Sequence, residues 1–265
     1  MVKLNFQVNK FYLAYLLLNQ PDSLVNSSGS SFKQKIQSLR SKILKEYKND
    51  PFYYLINLNN HDHIKWAMKQ IYLNNKLSSF STVQKIFQVI FRSPEFKTIY
   101  KETIQYKNTV KRQWDQNQDF VLKFLKEITG VKIPHLSIPV FIVHPKLRKG
   151  KASPYNQIIF GHLENWPNYS TVYVTHELLH LIFYYYKIPQ NDISHVLVEL
   201  ISDNELRIKL NKKGTYFKEK QEYIGHSHLK KIHKKILPFW LKYLQNEQKN
   251  INSLYRKLKK EIHIK

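Results

Sequence analysis

The sequence predicts an α+β fold, mostly helical, with a small edge-stranded sheet, and three observations carry that expectation. Gly and Pro are scarce, 6 and 10 in 265 residues, so the many turns of a barrel are not coded. Apolar residues recur at helical spacing over most of the chain, as at Ile36, Leu39, Ile43 and Tyr47. From Val131 the texture changes: Ile133 to Val143 mixes β-branched and aromatic residues with Pro134 and Pro139, the pattern of an edge strand.

Element by element, the chain opens with Lys3 and Lys10 ahead of an apolar run, Phe11 to Leu18. That resembles a short signal core. Polar residues from Asn19 to Asp22 follow instead of a small-residue cleavage site, so a structured first element of a cytoplasmic protein is expected. A loop from Asn19 to Ser31 leads to a helix over Phe32–Tyr47. Asp50-Pro51 marks a helix start, and short helices follow at Ile64–Leu73 and Val83–Phe91. Ser93-Pro94-Glu95 opens a long helix that Gly130 closes. Past a basic loop, Lys146 to Lys151, a second strand is expected at Gln157–Leu163. Ser170 caps an apolar helix that Pro189 stops, and Asp192 or Ser194 caps the next, running to about Leu210. The tail from His228 is helical and basic, with Ile251, Leu254, Leu258 and Ile262 as a core stripe. A division near Gly130 gives a helical region, 1–130, and an α+β region, 131–265.

Composition excludes several chemistries. Without cysteine there is no disulfide, Cys-based zinc finger, iron–sulfur cluster or cysteine nucleophile. No run of about 18 apolar residues is present to span a membrane. The formal charge of +24 admits nucleic acid, an acidic protein or an anionic surface as partner. It does not favour nucleic acid, because the excess is mostly Lys in a chain crowded with Asn, Ile, Tyr and Phe, a bias that a whole genome can impose.

The informative stretch is His176-Glu177-Leu178-Leu179-His180, an H-E-x-x-H pattern inside an expected helix. Residues four apart share a helix face, so two imidazoles can converge on one ion. Glu177 is turned roughly a quarter of the way round, given 3.6 residues per turn, beside the ion and placed to take a proton from water. The next helix supplies Glu199-Leu200-Ile201-Ser202-Asp203, with Asp203 one turn beyond Glu199 on the same face. A carboxylate there can accept the free ring N–H of a ligating His. Val172, Leu179, Ile182, Phe183 and Tyr186 read as core. His61-Asp62-His63 reads as surface, because residues two apart face opposite sides of a helix. The trio His226, His228 and His233 reads as basic surface, except where His226 is drawn into the site.

HELLH followed by ELISD resembles the gluzincin metallopeptidases, with their HExxH and E-x-x-S-D helices; the likeness covers about residues 171–210. It implies Zn2+ held by His176, His180 and Glu199, Glu177 as general base, Asp203 as partner of His176, and peptide or protein as substrate. Thermolysin-like members have Asn where this chain has Val198 before the ligand Glu. Family members stabilise the oxyanion with a downstream His or Tyr; Tyr216, Tyr223 and His226 are available, and His226 is preferred. The metzincin pattern fits less well, lacking its Gly and third His after the motif. DNA-dependent proteases with HExxH use a third His, for which His195 is the nearby candidate, without that family's surroundings. The regulator-cleaving peptidases of phage read E-x-x-A-N in the later helix, unlike Glu199 to Arg207. A basic binding protein on an inactive or DNA-directed version of the same scaffold is the alternative reading. In the peptidase reading the substrate would lie along Gln157–Leu163, as an added strand.

Overall fold

The structure is a computed structural model that describes residues 2–19, 29–47, 81–153, 156–212 and 225–262. The helix starts expected at 50–51 and 64–73, the cluster at 61–63, and Tyr216 and Tyr223 lie outside these residues. The architecture is α+β and mostly helical, around a four-stranded mixed sheet.

The chain begins with strand β1 (Val2–Gln7) and helix α1 (Lys10–Asn19). Helices α2 (Ser30–Tyr47) and α3 (Ser81–Arg92) follow, then the 36-residue α4 (Pro94–Thr129). Ser93 caps α4, accepting from the Phe96 N–H, and Gly130 closes it at φ 65°. Strands β2 (Leu136–Ile142), β3 (Lys149–Ser153) and β4 (Gln157–Gly161) come next. Helix α5 (Tyr169–Tyr185) leads to α6 (Asp192–Glu199), which runs through a π-helical stretch, Leu200–Leu206, into α7 (Arg207–Asn211). Helices α8 (Lys230–Gln245) and α9 (Ile251–Glu261) end the described chain. Among the described residues no helix is long and apolar enough to cross a membrane.

The sheet order is β1-β2-β4-β3, parallel except for the β3–β4 pair. Two expectations are corrected here. The stretch around Pro134 and Pro139 is not an edge: β2 lies between β1 and β4. Pro139 is tolerated because it pairs only with Asn5 of β1, while pairing with β4 begins at Val140. Nor is Gln157–Leu163 an edge; β4 is bonded on both sides, and the strand left at that end is β3, built from the expected basic loop.

Both faces of the sheet are covered, and the period of two decides what covers them. Ile138, Val140, Ile142, Ile158 and Phe160 enter one core with the second half of α4 and helices α5, α6, α8 and α9. Phe141 and Ile159 enter a second core with α1, α2, α3 and the start of α4. Helix α4 joins the two, giving Phe96 and Ile99 to the second and Val110, Trp114, Val121 and Leu125 to the first. Val2 of β1 also belongs to the first core, so elements on both sides of Gly130 share it. Val172, Leu179, Ile182 and Phe183 are buried, as are Ile251, Leu254, Leu258 and Ile262. His233, expected at the surface, is buried on the inner face of α8 with Ile236, Trp240 and Tyr243.

The corner after β2 carries a buried histidine. His144 stacks on Phe32 with ring centroids 4.4 Å apart and sits 3.0 Å from the Glu102 carboxylate, linking α2, α4 and the sheet. Burial pushes its pKa down from 6.5 to about 4, against the opposing pull of Glu102. The unfolded chain therefore binds this proton first as pH falls, so the stability it contributes is complete above about pH 6.5 and is lost towards about pH 4. His144→Gln should flatten that part of the stability profile, read as a smaller change in the urea midpoint between about pH 7 and about pH 4.5 than the parent shows.

Candidate metal centre

The residues at the centre arrive on three supports: α5, α6 with its π-helical continuation, and the turn before α8. Helix α5 starts at Tyr169, one residue ahead of the expected cap. Ser170 is buried, and its N–H donates to Glu164 Oε1 at 3.1 Å, while the Thr171 N–H donates to Gln113 Oε1 at 2.7 Å. A carboxylate from the preceding turn and an amide from α4 thus do the work assigned to Ser170. Helix α6 is capped by Asn191, with Ser194 answering it in a capping box; Asp192 lies inside the first turn.

His176 and His180 share one face of α5, and their Nε2 atoms lie 3.2 Å apart. What holds the other ring nitrogens fixes what these two present. His176 Nδ1 lies 3.2 Å from both oxygens of Asp203, so it must carry the hydrogen. His180 Nδ1 lies 2.8 Å from Gln190 Oε1, and Gln190 Nε2 donates to the His180 carbonyl, which orients the amide. His180 Nδ1 is therefore a donor as well. With both Nδ1 atoms donating elsewhere, the two Nε2 atoms can lie this close only by sharing a proton or a cation, and the raised His176 ring supplies the proton in the metal-free protein.

His195, on α6, completes the group: its ligand nitrogen lies within 4.8 Å of those of His176 and His180. Its Nε2 is buried with no hydrogen-bond partner among the described residues, the type of orphaned polar atom that calls for explanation. Glu199 is fully buried one turn further on, its Oε1 4.0 Å from His195 Nε2. That oxygen accepts from the His226 backbone N–H at 2.6 Å and meets His226 Nδ1 at 2.7 Å. The donors therefore form two adjoining groups, His176–His180–His195 and His195–Glu199–His226, with His195 common to both. Sequence reasoning selected Glu199 and set His195 aside. The signal for His195 was its place four residues before Glu199, on the same face of α6.

Charge follows this geometry. Burial lowers the His176 pKa, but the hydrogen-bonded Asp203 with the charges of Glu177 and Glu199 outweighs it and pushes the ring up to about 9. Burial, together with the charge of His176, takes His180 down to about 4 and His195 to about 3. Both are therefore neutral at pH 7, as ligating imidazoles must be. The hydrogen bond to Glu199 raises His226. Burial raises the Glu177 carboxyl, against the charge of His176 and a backbone hydrogen bond from Ala152.

These groups face a cavity of about 500 Å³, lined on one side by Gly150, Lys151 and Ala152 of β3 and on the other by His176, Glu177, His180, His195 and His226. Gly150 matters sterically: a Cβ there would come within 2.9 Å of Glu177 Oε1. Asp203 stands behind His176, and Ser202 Oγ lies 2.9 Å from its Oδ1.

Gly225 is the tighter of the two glycines at the centre. Its φ is +140°, and a Cβ would fall 2.4 Å from Glu199 Oε2. Gly225→Ala is expected to lower the unfolding midpoint by several °C, since both strain and the contact act on a fully buried carboxylate. A midpoint equal to the parent's would show that the turn relaxes freely.

No family model, curated protein or solved structure matches this chain.

Proposed function

We propose that the protein is a zinc-dependent peptidase in which His176, His180 and His195 hold the metal and Glu177 is the general base. The observation that carries this reading is the set of three imidazoles: two Nε2 atoms 3.2 Å apart, each ring held from behind by a side-chain acceptor, and beside them His195, whose buried Nε2 has no hydrogen-bond partner among the described residues. Three neighbouring carboxylates, Glu177, Glu199 and Asp203, are also buried and favour positive charge at that point. The donor set fits zinc, which takes imidazole nitrogen readily and works as a catalyst with three protein ligands and one open position. When bound, zinc supplies a Lewis acid that polarises a carbonyl and makes water more acidic.

The chain's own residues do the rest. Glu177 opens on the cavity with its carboxyl raised by burial, which brings it nearer the range in which it both takes a proton from water and returns it to the leaving amine. Asp203 and Gln190 keep the two ring nitrogens of α5 directed inward. His226, tethered to Glu199, offers its ring to the developing oxyanion. The peptide lies extended along β3, the strand at the end of the sheet order, whose Gly150 to Ala152 border the cavity beside Glu177.

Glu177→Gln should keep about one zinc per chain and lose about 10²- to 10⁴-fold in peptide cleavage. Cleavage by this variant at the parent's rate would sink the reading. The third donor is read separately from metal content. His195→Ala should lose zinc on dialysis while Glu199→Ala retains it; the opposite result assigns the third ligand to Glu199, as the gluzincin resemblance implies.

A further inference from the structure

The positive charge of this chain is not spread evenly. Residues 225–262 hold ten Lys and Arg against two Glu. Helix α4, of nearly the same length, holds seven against five. A compositional habit of the genome would raise Lys in both alike, so the difference calls for a local cause.

The fold gathers three of these charges around one cavity and leaves the others exposed on the same two helices. On α8 the residues His233, Ile236, Trp240 and Tyr243 face the core, which leaves Lys230, Lys231, Lys234, Lys235 and Lys242 exposed. On α9 the residues Ile251, Leu254, Tyr255 and Leu258 face inward, and Arg256, Lys257, Lys259 and Lys260 are exposed. Between the two helices opens a cavity of about 420 Å³ that no carboxylate of the described residues lines. Lys242, Lys249 and Lys257 border it, with the amides of Asn246 and Asn250. The ring of Phe239 forms part of its wall, with Lys257 Nζ 5.5 Å from the centroid.

We infer that this face binds nucleic acid through its phosphate backbone. Three lysines around a concave site suit a chain of phosphates that can enter it, and side-chain amides add donors for the same oxygens. An aromatic wall offers a surface to a base. A lipid surface fits less well: the apolar stripes of both helices are spent in the core, so no apolar face is free to enter a bilayer. Both helices pack on α6, which carries His195 and Glu199, through their inner faces, and the lysine-lined cavity shares no residue with the one at the metal centre. The inference does not depend on the peptidase reading.

The test is fluorescence anisotropy with a labelled duplex and a labelled single strand, each of about 20 nucleotides, over a range of salt. The parent should bind with affinity that falls steeply as salt rises. Lys242→Gln/Lys249→Gln/Lys257→Gln should weaken binding at least tenfold and flatten the salt dependence by about two to three phosphate equivalents. A control, Lys97→Gln/Lys101→Gln/Arg112→Gln, removes the same charge from exposed positions of α4 and should bind as the parent does. Both variants should melt with the parent, because the lysines and arginine replaced are on the surface or half-buried. Absence of salt-dependent binding by the parent overturns the inference. Equal weakening by the two triple variants also overturns it, since net charge alone would then account for binding. Binding to vesicles containing anionic phosphatidylserine, with none to either oligonucleotide, overturns it in favour of a lipid surface.

Discussion

Two imidazole nitrogens face each other at 3.2 Å on the wall of the cavity, and the rest of the centre is arranged around that contact. Buried charge is tolerated only when it is paired or bonded, because an uncompensated ion costs several kcal/mol after relaxation. Most groups here are answered individually. Asp203 has the His176 N–H, Glu199 has two donors from His226, and Glu177 has the backbone of Ala152. The two inward Nε2 atoms share one proton across 3.2 Å, and His195, whose Nε2 has no hydrogen-bond partner among the described residues, adjoins them. In the proposed peptidase a metal would take the place of that proton, with His195 as its further donor.

The fold brings this about by closing a sheet between two cores and leaving one strand at its end. Because β2 and β4 are buried on both faces, the sheet is a rigid floor, and α5 lies against it with Glu177 directed at β3. The bare backbone of Gly150 permits that approach, since any side chain there would push the carboxylate aside. Helix α6 then returns along α5, and its π-helical continuation keeps Ser202, Asp203 and Asn204 all buried behind the histidines. A regular α-helix would carry Asn204, five residues after Glu199, away from that face; here its amide donates to the Glu199 carbonyl.

The parts of this arrangement that follow from local spacing were readable in the sequence. His176 and His180 share a face because they are four apart, the long helix ends at Gly130 because φ 65° suits glycine, and the stripe at Ile251, Leu254, Leu258 and Ile262 is buried because it repeats at helical spacing. What escaped depends on contacts distant in sequence. Strand β1 alternates Val2, Leu4 and Phe6 at period two, yet the sequence predicts only a structured first element there, with no strand assigned; pairing with β2, more than 130 residues away, makes it a strand. Strand β3, with the sequence KGKAS, has little apolar content because its helix-facing side is met by Glu177 and its far edge by none of the described strands. Glu164 and Gln113 cap α5 from outside the helix, so no local pattern encodes them.

In the proposed peptidase, the choice between His195 and Glu199 as third metal donor is also a statement about His226. Both donors lie on one face of α6, and both reach the same region. Glu199 is now bonded twice by His226, through backbone and ring, and the turn at Gly225 is shaped to bring His226 there. A carboxylate that turns to the metal must yield part of that pairing, and the ring of His226 is then freed to move. A carboxylate that stays leaves the metal to three imidazoles and keeps His226 fixed over the cavity. In that proposal the identity of the third ligand and the rigidity of the side carrying His226 are a single physical variable, set by one buried carboxylate with two competing partners.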